Sequence, residues 1–264
     1  MKNMTKMNEN IHRLTMAYRD IFTTVYTVRT ESGVLLFDAA SYDCDVEQAI
    51  LPMLESLAIT AEELKYIFIS HDHPDHSGAL QPLIERYPNS CILSRSAALK
   101  ERYARFSVHC PQDGENILDV LKIVTIPGHT EDSSGILDTR TNTLVSGDSL
   151  QLYGIYGSGD WGANIGLTSE HLDAIEKLRG MGIDEILTAH DYHPFGYHYC
   201  GRKAVGDALD ACIEPLLKIK EMVLQNPAMD DAEIRQHYNA STGLPAIGVR
   251  VVAGVRAAMK QGRL

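Results

Sequence analysis

The sequence predicts a layered α/β fold, and three observations carry that prediction. Short apolar, β-branched runs alternate with stretches of helical periodicity through the first three quarters of the chain. The strand-then-helix order occurs in two successive halves, one up to about residue 103 and one from about residue 120. The final quarter changes character and reads as helix alone.

In chain order, residues 21–29 (IFTTVYTVR) are β-branched and aromatic and read as a strand. Glu31-Ser32-Gly33 makes a turn into a second strand, Val34 to Phe37. Asp43 and Asp45 then read as caps for a helix with Val46, Ile50, Met53, Leu54 and Leu57 on its inner face, and Pro52 as a kink within it. The run 64–69 (LKYIFI) has the composition of a buried strand. There follow a helix over about Ser77–Arg86, a strand over Cys91–Leu93 and a short helix over Ser96–Tyr103. A strand over Val120–Ile126 precedes a strand pair, Ile136-Leu137 and Leu144-Val145, joined by a polar turn over Thr139–Asn142. A helix over Ser169–Leu178 and a strand over Glu185–Leu187 complete the second half. Residues 203–225, 230–238 and 246–260 are helical in pattern, with Val249–Val252 the one stretch there that also carries a strand signal. The reading is a domain over 1–200 and a helical extension over 201–264, the latter either an appendage or the closing helices of the same domain.

The chain has 264 residues, 44% hydrophobic and 22% charged, enough for a sizeable core. The formal net charge of −11 opposes a nucleic-acid role, since phosphate binding needs clustered Lys and Arg. Five cysteines at irregular spacing, with no CxxC, do not form a disulfide framework and fit a reducing compartment. The polar first residues show no leader, and no apolar run approaches a membrane span. The expectation is a cytoplasmic protein acting on a small molecule, without nucleic acid or membrane as partner, and with a homodimer as a candidate assembly.

The sharpest signal is His71-Asp72-His73-Pro74-Asp75-His76, directly after the run 64–69. A turn capping the next helix would explain Asp75. It leaves three imidazoles in six residues without a reason. Imidazole and carboxylate are ligands for zinc, iron or manganese. A loop leaving a strand can aim His71 and His73 to one side, with Asp75 and His76 one turn on serving a second position. Four ligands do not fill two coordination shells, so more must come from elsewhere. His129 (in IPGHT), Asp148 (in SGDS) and His190 (in TAHD) each follow an apolar run where a strand gives way to a loop, the place where α/β sheets collect their sites. Asp72 points away from His71 and is read as a hydrogen-bond acceptor behind the ligands.

The ordered set HDHPDH, PGHT, SGDS and TAH resembles the metallo-β-lactamase superfamily, whose leading pattern is HxHxDH, over about residues 20–195. The resemblance implies an αββα sandwich with C-terminal helices and two divalent metal ions, zinc first and iron or manganese as alternatives. By the same resemblance His71, His73 and His129 hold one ion, Asp75, His76 and His190 the other, and Asp148 bridges them. An Asp at that bridging place is similar to the glyoxalase-II, lactonase and RNase-Z branches rather than to true β-lactamases, and the acidic balance disfavours the last. Flavodiiron proteins place a Glu where this chain has His73 and carry a flavodoxin domain.

The implied activity is hydrolysis of a small ester, thioester or lactone by a hydroxide shared between two cations, whose water pKa falls from 15.7 towards about 7. That shift is about 12 kcal/mol of preference for the ionised form. Asp75 would orient the water and take its proton. Tyr153, Tyr156, His193 and Tyr197 are candidates to protonate the leaving group, with Tyr153 and His193 preferred, and the stretch 151–161 reads as a substrate-facing loop. Two other readings stand beside this one: a mononuclear iron dioxygenase for a thiol persulfide, using residues equivalent to His71, His129 and Asp148, and a non-catalytic metal-binding member.

Overall fold

The computed structural model describes residues 3–157 and 159–264. Ser158, within the stretch read as a substrate-facing loop, lies outside them. Among the described residues, thirteen strands, ten α-helices and one π-helical turn make two sheets with flanking and C-terminal helices, as the layered α/β reading expects. Contacts divide the chain into two compact units. One comprises the residues up to Val124 with Ile136–Thr139, the other Thr125–Gly135 with Arg140–Leu264.

The first unit opens with β1 (Met4–Lys6), β2 (Ile11–Tyr18), β3 (Ile21–Thr30) and β4 (Gly33–Phe37), all antiparallel neighbours. Helix α1 (Asp43–Asp45) and a π-helical turn (Val46–Ile50) lead into α2 (Leu51–Ser56). Then come β5 (Leu64–Ile69), α3 (Pro74–Ser77), α4 (Leu80–Arg86), β6 (Cys91–Ser94), α5 (Ala97–Arg102), β7 (Val108–His109), β8 (Asn116–Ile117) and β9 (Leu121–Thr125). Strands β1 to β7 form one sheet in sequence order, parallel from β4 onward. Its core joins Leu14, Val25, Leu36, Ile67 and Ile92 of the strands to Ile50, Met53, Leu80 and Leu83 of the helices.

The remaining strands are β10 (Ser134–Asp138), β11 (Thr143–Gly147), β12 (Glu185–Tyr192) and β13 (Gly196–Cys200), and with β8 and β9 they make the second sheet, ordered β13-β12-β11-β10-β9-β8. Helix α6 (Thr168–Arg179) precedes β12. Helices α7 (Arg202–Ala211), α8 (Glu214–Gln225), α9 (Asp231–Ser241) and α10 (Val249–Lys260) follow β13. In the second unit Leu216, Ile219, Ile234, Tyr238, Val251 and Val255 of these helices share one apolar cluster with Ala163 and Ile165. Among the described residues, no helix is long and apolar enough to cross a membrane.

Several elements depart from the sequence reading. Strand β2, which the reading did not pick out, pairs with β3 over its whole length and buries Ile11, Leu14 and Met16. Its period-2 pattern is masked because Arg13 is buried as well. The helix expected over Ser77–Arg86 begins earlier, at Pro74, and breaks between Ser77 and Leu80. Pro52 follows a π-helical turn instead of kinking a continuous helix, and Leu51 N–H reaches back to Val46 O there. Residues 203–225 are two helices, with Pro215 in the first turn of the second. Val249–Val252 lie in α10, because every third or fourth position (Val251, Val252, Val255) packs inward. Finally, β12 extends to Tyr192, so His190 lies inside a strand, within the span where its register with β13 shifts.

The break after Ser77 rests on Gly78. A Cβ there would come within 2.2 Å of Ser41 O and 2.3 Å of Pro74 O. Gly78→Ala is therefore expected to lower unfolding stability by about 2–3 kcal/mol, read as a fall in the urea midpoint at unchanged slope. An unchanged midpoint would show that the turn has room to relax.

Candidate metal centre

In the first unit the candidate ligands follow β5. Ser70 follows the strand directly, His73 occupies the N-cap of α3 with extended backbone, and Pro74 starts the helix at a position that needs no N–H donor. The short helix then presents Asp75 and His76, both buried. His71 Nε2 lies 2.9 Å from His73 Nδ1, and Asp75 Oδ2 lies 3.3 Å from His76 Nε2. The rings of His71 and His76 have centroids 4.3 Å apart. Thr23 Oγ1 donates to Asp75 O, tying α3 to β3.

Asp38 organises this cluster. It follows β4 in left-handed backbone (φ 65°) and is fully buried. Its Oδ1 accepts from Ser70 N at 2.8 Å, and its Oδ2 accepts from Ser70 Oγ at 3.0 Å. His76 Nδ1 is 2.7 Å from the same Oδ2. A carboxylate accepts, so His76 carries a proton on Nδ1, and Nε2 is the nitrogen through which its neutral form would coordinate. The Ser70 hydroxyl gives its hydrogen to Asp38, so it accepts from His71 Nδ1, 3.1 Å away, and His71 keeps Nε2 unprotonated. Burial alone would lower the pKa of His76, but Asp75 and Asp38 outweigh it and hold the imidazole well above its ordinary value. Without a metal ion the two carboxylates thus favour a second proton on His76 Nε2, and that proton must leave before Nε2 can coordinate.

In the second unit His129 and Asp148 follow β9 and β11, and His190 lies in β12. Gly128 has φ 149°, and a Cβ there would lie 2.6 Å from His171 Nδ1, so the chain can pass over His171 only as glycine. His129 Nδ1 donates to Asn164 O at 2.8 Å, which again leaves Nε2 unprotonated. Asn164 N donates to Gln151 Oε1, and Gln151 Nε2 donates to Asp148 O. Asp148 points its two oxygens at two different imidazoles: Oδ2 is 3.3 Å from His129 Nε2, and Oδ1 is 3.5 Å from His190 Nε2. The hydroxyl of Tyr192 donates to Asp148 Oδ1.

The donors suit divalent cations of borderline hardness. Two imidazole nitrogens 2.9 Å apart are spaced as two ligands at about 2.0–2.1 Å from one ion at near-right angles. In their neutral forms the three imidazoles with fixed tautomers offer Nε2 lone pairs, which is the form that coordinates. His71, His73, Asp75 and His76 thus gather in the first unit, and His129, Asp148 and His190 in the second.

Asp72 accepts from Ser77 Oγ at 2.9 Å and faces Ser96 and Arg102, contacts that brace the loop. Tyr153 is half-buried, with the Lys218 ammonium 5.2 Å from its ring centre. The His193 ring lies against Tyr156, tilted by 31° with centroids 3.6 Å apart, and burial lowers its pKa, favouring the uncharged form. Tyr156 donates to Pro194 O. Tyr197 is half-buried on β13. Asp38, Asn164 and Tyr192 are the participants the sequence reading missed. Asp38 had a faint signal, as the acid ending VLLFD at a strand terminus.

The comparisons fit this geometry. Residues 18–105 match the family model described as the metallo-beta-lactamase superfamily. An uncharacterized protein of Bacillus subtilis (strain 168) is 27% identical over 150 residues, covering 49% of this chain and 62% of that protein. A hydroxyacylglutathione hydrolase of Prochlorococcus marinus (strain MIT 9301) is 30% identical over 135 residues, covering 49% of this chain and 52% of that enzyme. The chain thus spans roughly half to three-fifths of the length of these curated relatives. A crystal structure of a metallo-beta-lactamase family protein from Thermus thermophilus superposes with a TM-score of 0.66 at 17% identity, covering 97% of this chain and 95% of that one. Residues 18–105 thus carry the sequence pattern of the metallo-beta-lactamase superfamily, and the fold is similar to that of the Thermus thermophilus protein.

Two outcomes follow. Asp38→Asn, which removes the acceptor that fixes two imidazoles, is expected to weaken zinc binding about 10–100-fold in a competition titration. Unchanged affinity would show that the tautomers are set elsewhere. The second concerns His171, fully buried, with its pKa lowered to about 4 by burial, against the opposing hydrogen bond to Cys212 O. The folded state keeps it neutral while the unfolded chain protonates near pH 6.5. Its contribution is therefore complete above about pH 6.5 and is lost as pH falls towards 4, by up to about 3 kcal/mol. In metal-free protein, the urea midpoint should drop less between pH 7 and 5 for His171→Gln than for the wild type. Equal drops would remove His171 as the cause.

Proposed function

We propose that the protein is a dinuclear metal-dependent hydrolase of small esters, thioesters or lactones. The observation that supports it best is Asp148, whose two carboxylate oxygens face His129 and His190 separately, the disposition of a carboxylate shared by two cations. On this reading His71, His73 and His129 hold one cation, and Asp75, His76 and His190 hold the other. Two divalent cations, zinc first and iron or manganese as alternatives, supply Lewis acidity and a water acidic enough to ionise near neutral pH.

The chain's own groups do the rest. Asp75 is fixed on the first turn of α3 by the bond from Thr23 to its backbone and can orient the attacking water and take its proton. Asp38 and Asn164 keep His71, His76 and His129 in the tautomers that coordinate. Tyr192 steadies one oxygen of Asp148. The leaving group takes a proton from Tyr153 or His193. The neutral form favoured at His193 makes it a relay and not a store of protons. A thiolate leaving group needs little such help, so a thioester, as in the hydroxyacylglutathione named for the Prochlorococcus relative, suits the site well.

The test is hydrolysis of a panel containing a hydroxyacylglutathione, an aliphatic lactone and an aryl ester. At least one should turn over, and kcat/KM should fall at least about 1,000-fold in both His71→Ala and Asp148→Ala. Activity that survives either change would place the chemistry elsewhere. A single iron per chain with oxygen uptake on glutathione persulfide would replace this reading with the dioxygenase.

A further inference from the structure

The outer face of the β12–β13 hairpin carries three metal-competent side chains that the hydrolytic reading does not use. Glu185 of β12 pairs directly with Cys200 of β13, and His198 lies two residues before Cys200 on the same side of its strand. One donor atom from each of Glu185, His198 and Cys200 lies within 4.8 Å of the other two. We propose that these residues form a separate cation site for zinc or a similarly thiophilic divalent ion, which clips β13 to β12.

The geometry is prepared for it. Glu185 Oε2 accepts a 2.7 Å hydrogen bond from Thr143 Oγ1 on the neighbouring strand β11, which holds the carboxylate and turns Oε1 towards His198. His198 Nε2 is 2.6 Å from that Oε1. Ligands about 2.0–2.3 Å from a tetrahedral ion stand about 3.3–3.8 Å apart, so the Glu185–His198 pair needs to open from 2.6 Å towards that spacing, with the sulfur within 4.8 Å of both. Cys200 and His198 are exposed and Cys200 is a free thiol, so an ion can enter from solvent. Three protein donors leave the fourth position to water.

The donor set decides the ion. Thiolate with imidazole and one carboxylate selects zinc over magnesium, calcium or manganese. As an ion pair alone, the partly exposed Glu185–His198 contact contributes little, at the scale of other surface pairs. A bound cation would instead fix the hairpin at the end away from its turn. The strand it pins, β12, carries His190 five residues further on. The site is independent of the hydrolytic reading, because its donors share no residue with that set.

Cobalt(II) titration of the intact protein, followed by optical absorption, tests this. The ligand set proposed for hydrolysis contains no sulfur, so a thiolate-to-cobalt charge-transfer band reports on a cysteine site only. The wild type should develop that band with a stoichiometry of one sulfur-bound cobalt per chain. Cys200→Ser should lose the band while keeping its hydrolytic rate, and His198→Gln should weaken cobalt binding at this site at least about tenfold. Both positions are exposed, so the variants should fold, as circular dichroism can show. Absence of the band in the wild type, or a band that persists in Cys200→Ser, would overturn the proposal. Loss of hydrolysis in both His71→Ala and Asp148→Ala with the band intact would leave this site standing and speak only to the other.

Discussion

Asp38 receives three hydrogen bonds where water is excluded: from the N–H and hydroxyl of Ser70 and from Nδ1 of His76. Each has a consequence beyond its own strength. The bond to His76 fixes one imidazole directly, and the Ser70 hydroxyl, committed to Asp38, must accept from His71 and fixes a second. One carboxylate thus decides the protonation pattern of two candidate ligands. Its place depends in turn on a left-handed residue after β4, on the bond from Asp38 N to Phe68 O, and on the approach of residues 39–41 to α3, which Gly78 permits. The metal-competent form of the HDHPDH segment is therefore a property of the strand ends beneath it.

The second unit achieves the same end by other means. A backbone carbonyl, Asn164 O, replaces the carboxylate as acceptor behind His129, and the side chain of Gln151 links that segment to the backbone of Asp148. Tyr192 adds a phenolic donor to Asp148 itself. A buried carboxylate so placed between two imidazoles is costly without compensating charge. The hydrolytic reading resolves that cost, since cations would meet each of its oxygens.

The chemistry-bearing residues were legible in the sequence because imidazoles and acids cluster against apolar strand ends, a pattern that core packing does not generate. Short, mainly apolar strands such as Leu64–Ile69 and Leu144–Val145 were legible from composition. What stayed hidden depends on tertiary partners. Strand β2 contains a buried arginine that spoils its alternation, and β13 (GYHYC) has polar residues on an exposed face and glycine at its start. Asp38 reads as one acid among many until the fold brings Ser70 and His76 against it. Tyr192 looked no different from Tyr153, Tyr156 and Tyr197, whose rings meet Lys218, His193 and His198 respectively. The C-terminal helices were evident as helices, but their shared core with Ala163 and Ile165 was not, because that cluster is assembled from residues far apart in the chain.

The proposed hydrolysis requires Asp148 to be shared by two cations. Electron paramagnetic resonance of the protein loaded with manganese(II) tests that most directly, since a shared carboxylate couples the two spins. A shared Asp148 should give an exchange-coupled signal at two manganese ions per chain, replaced in Asp148→Asn by the hyperfine pattern of isolated ions. A wild-type protein that binds one manganese, or two with no coupling between them, would contradict it.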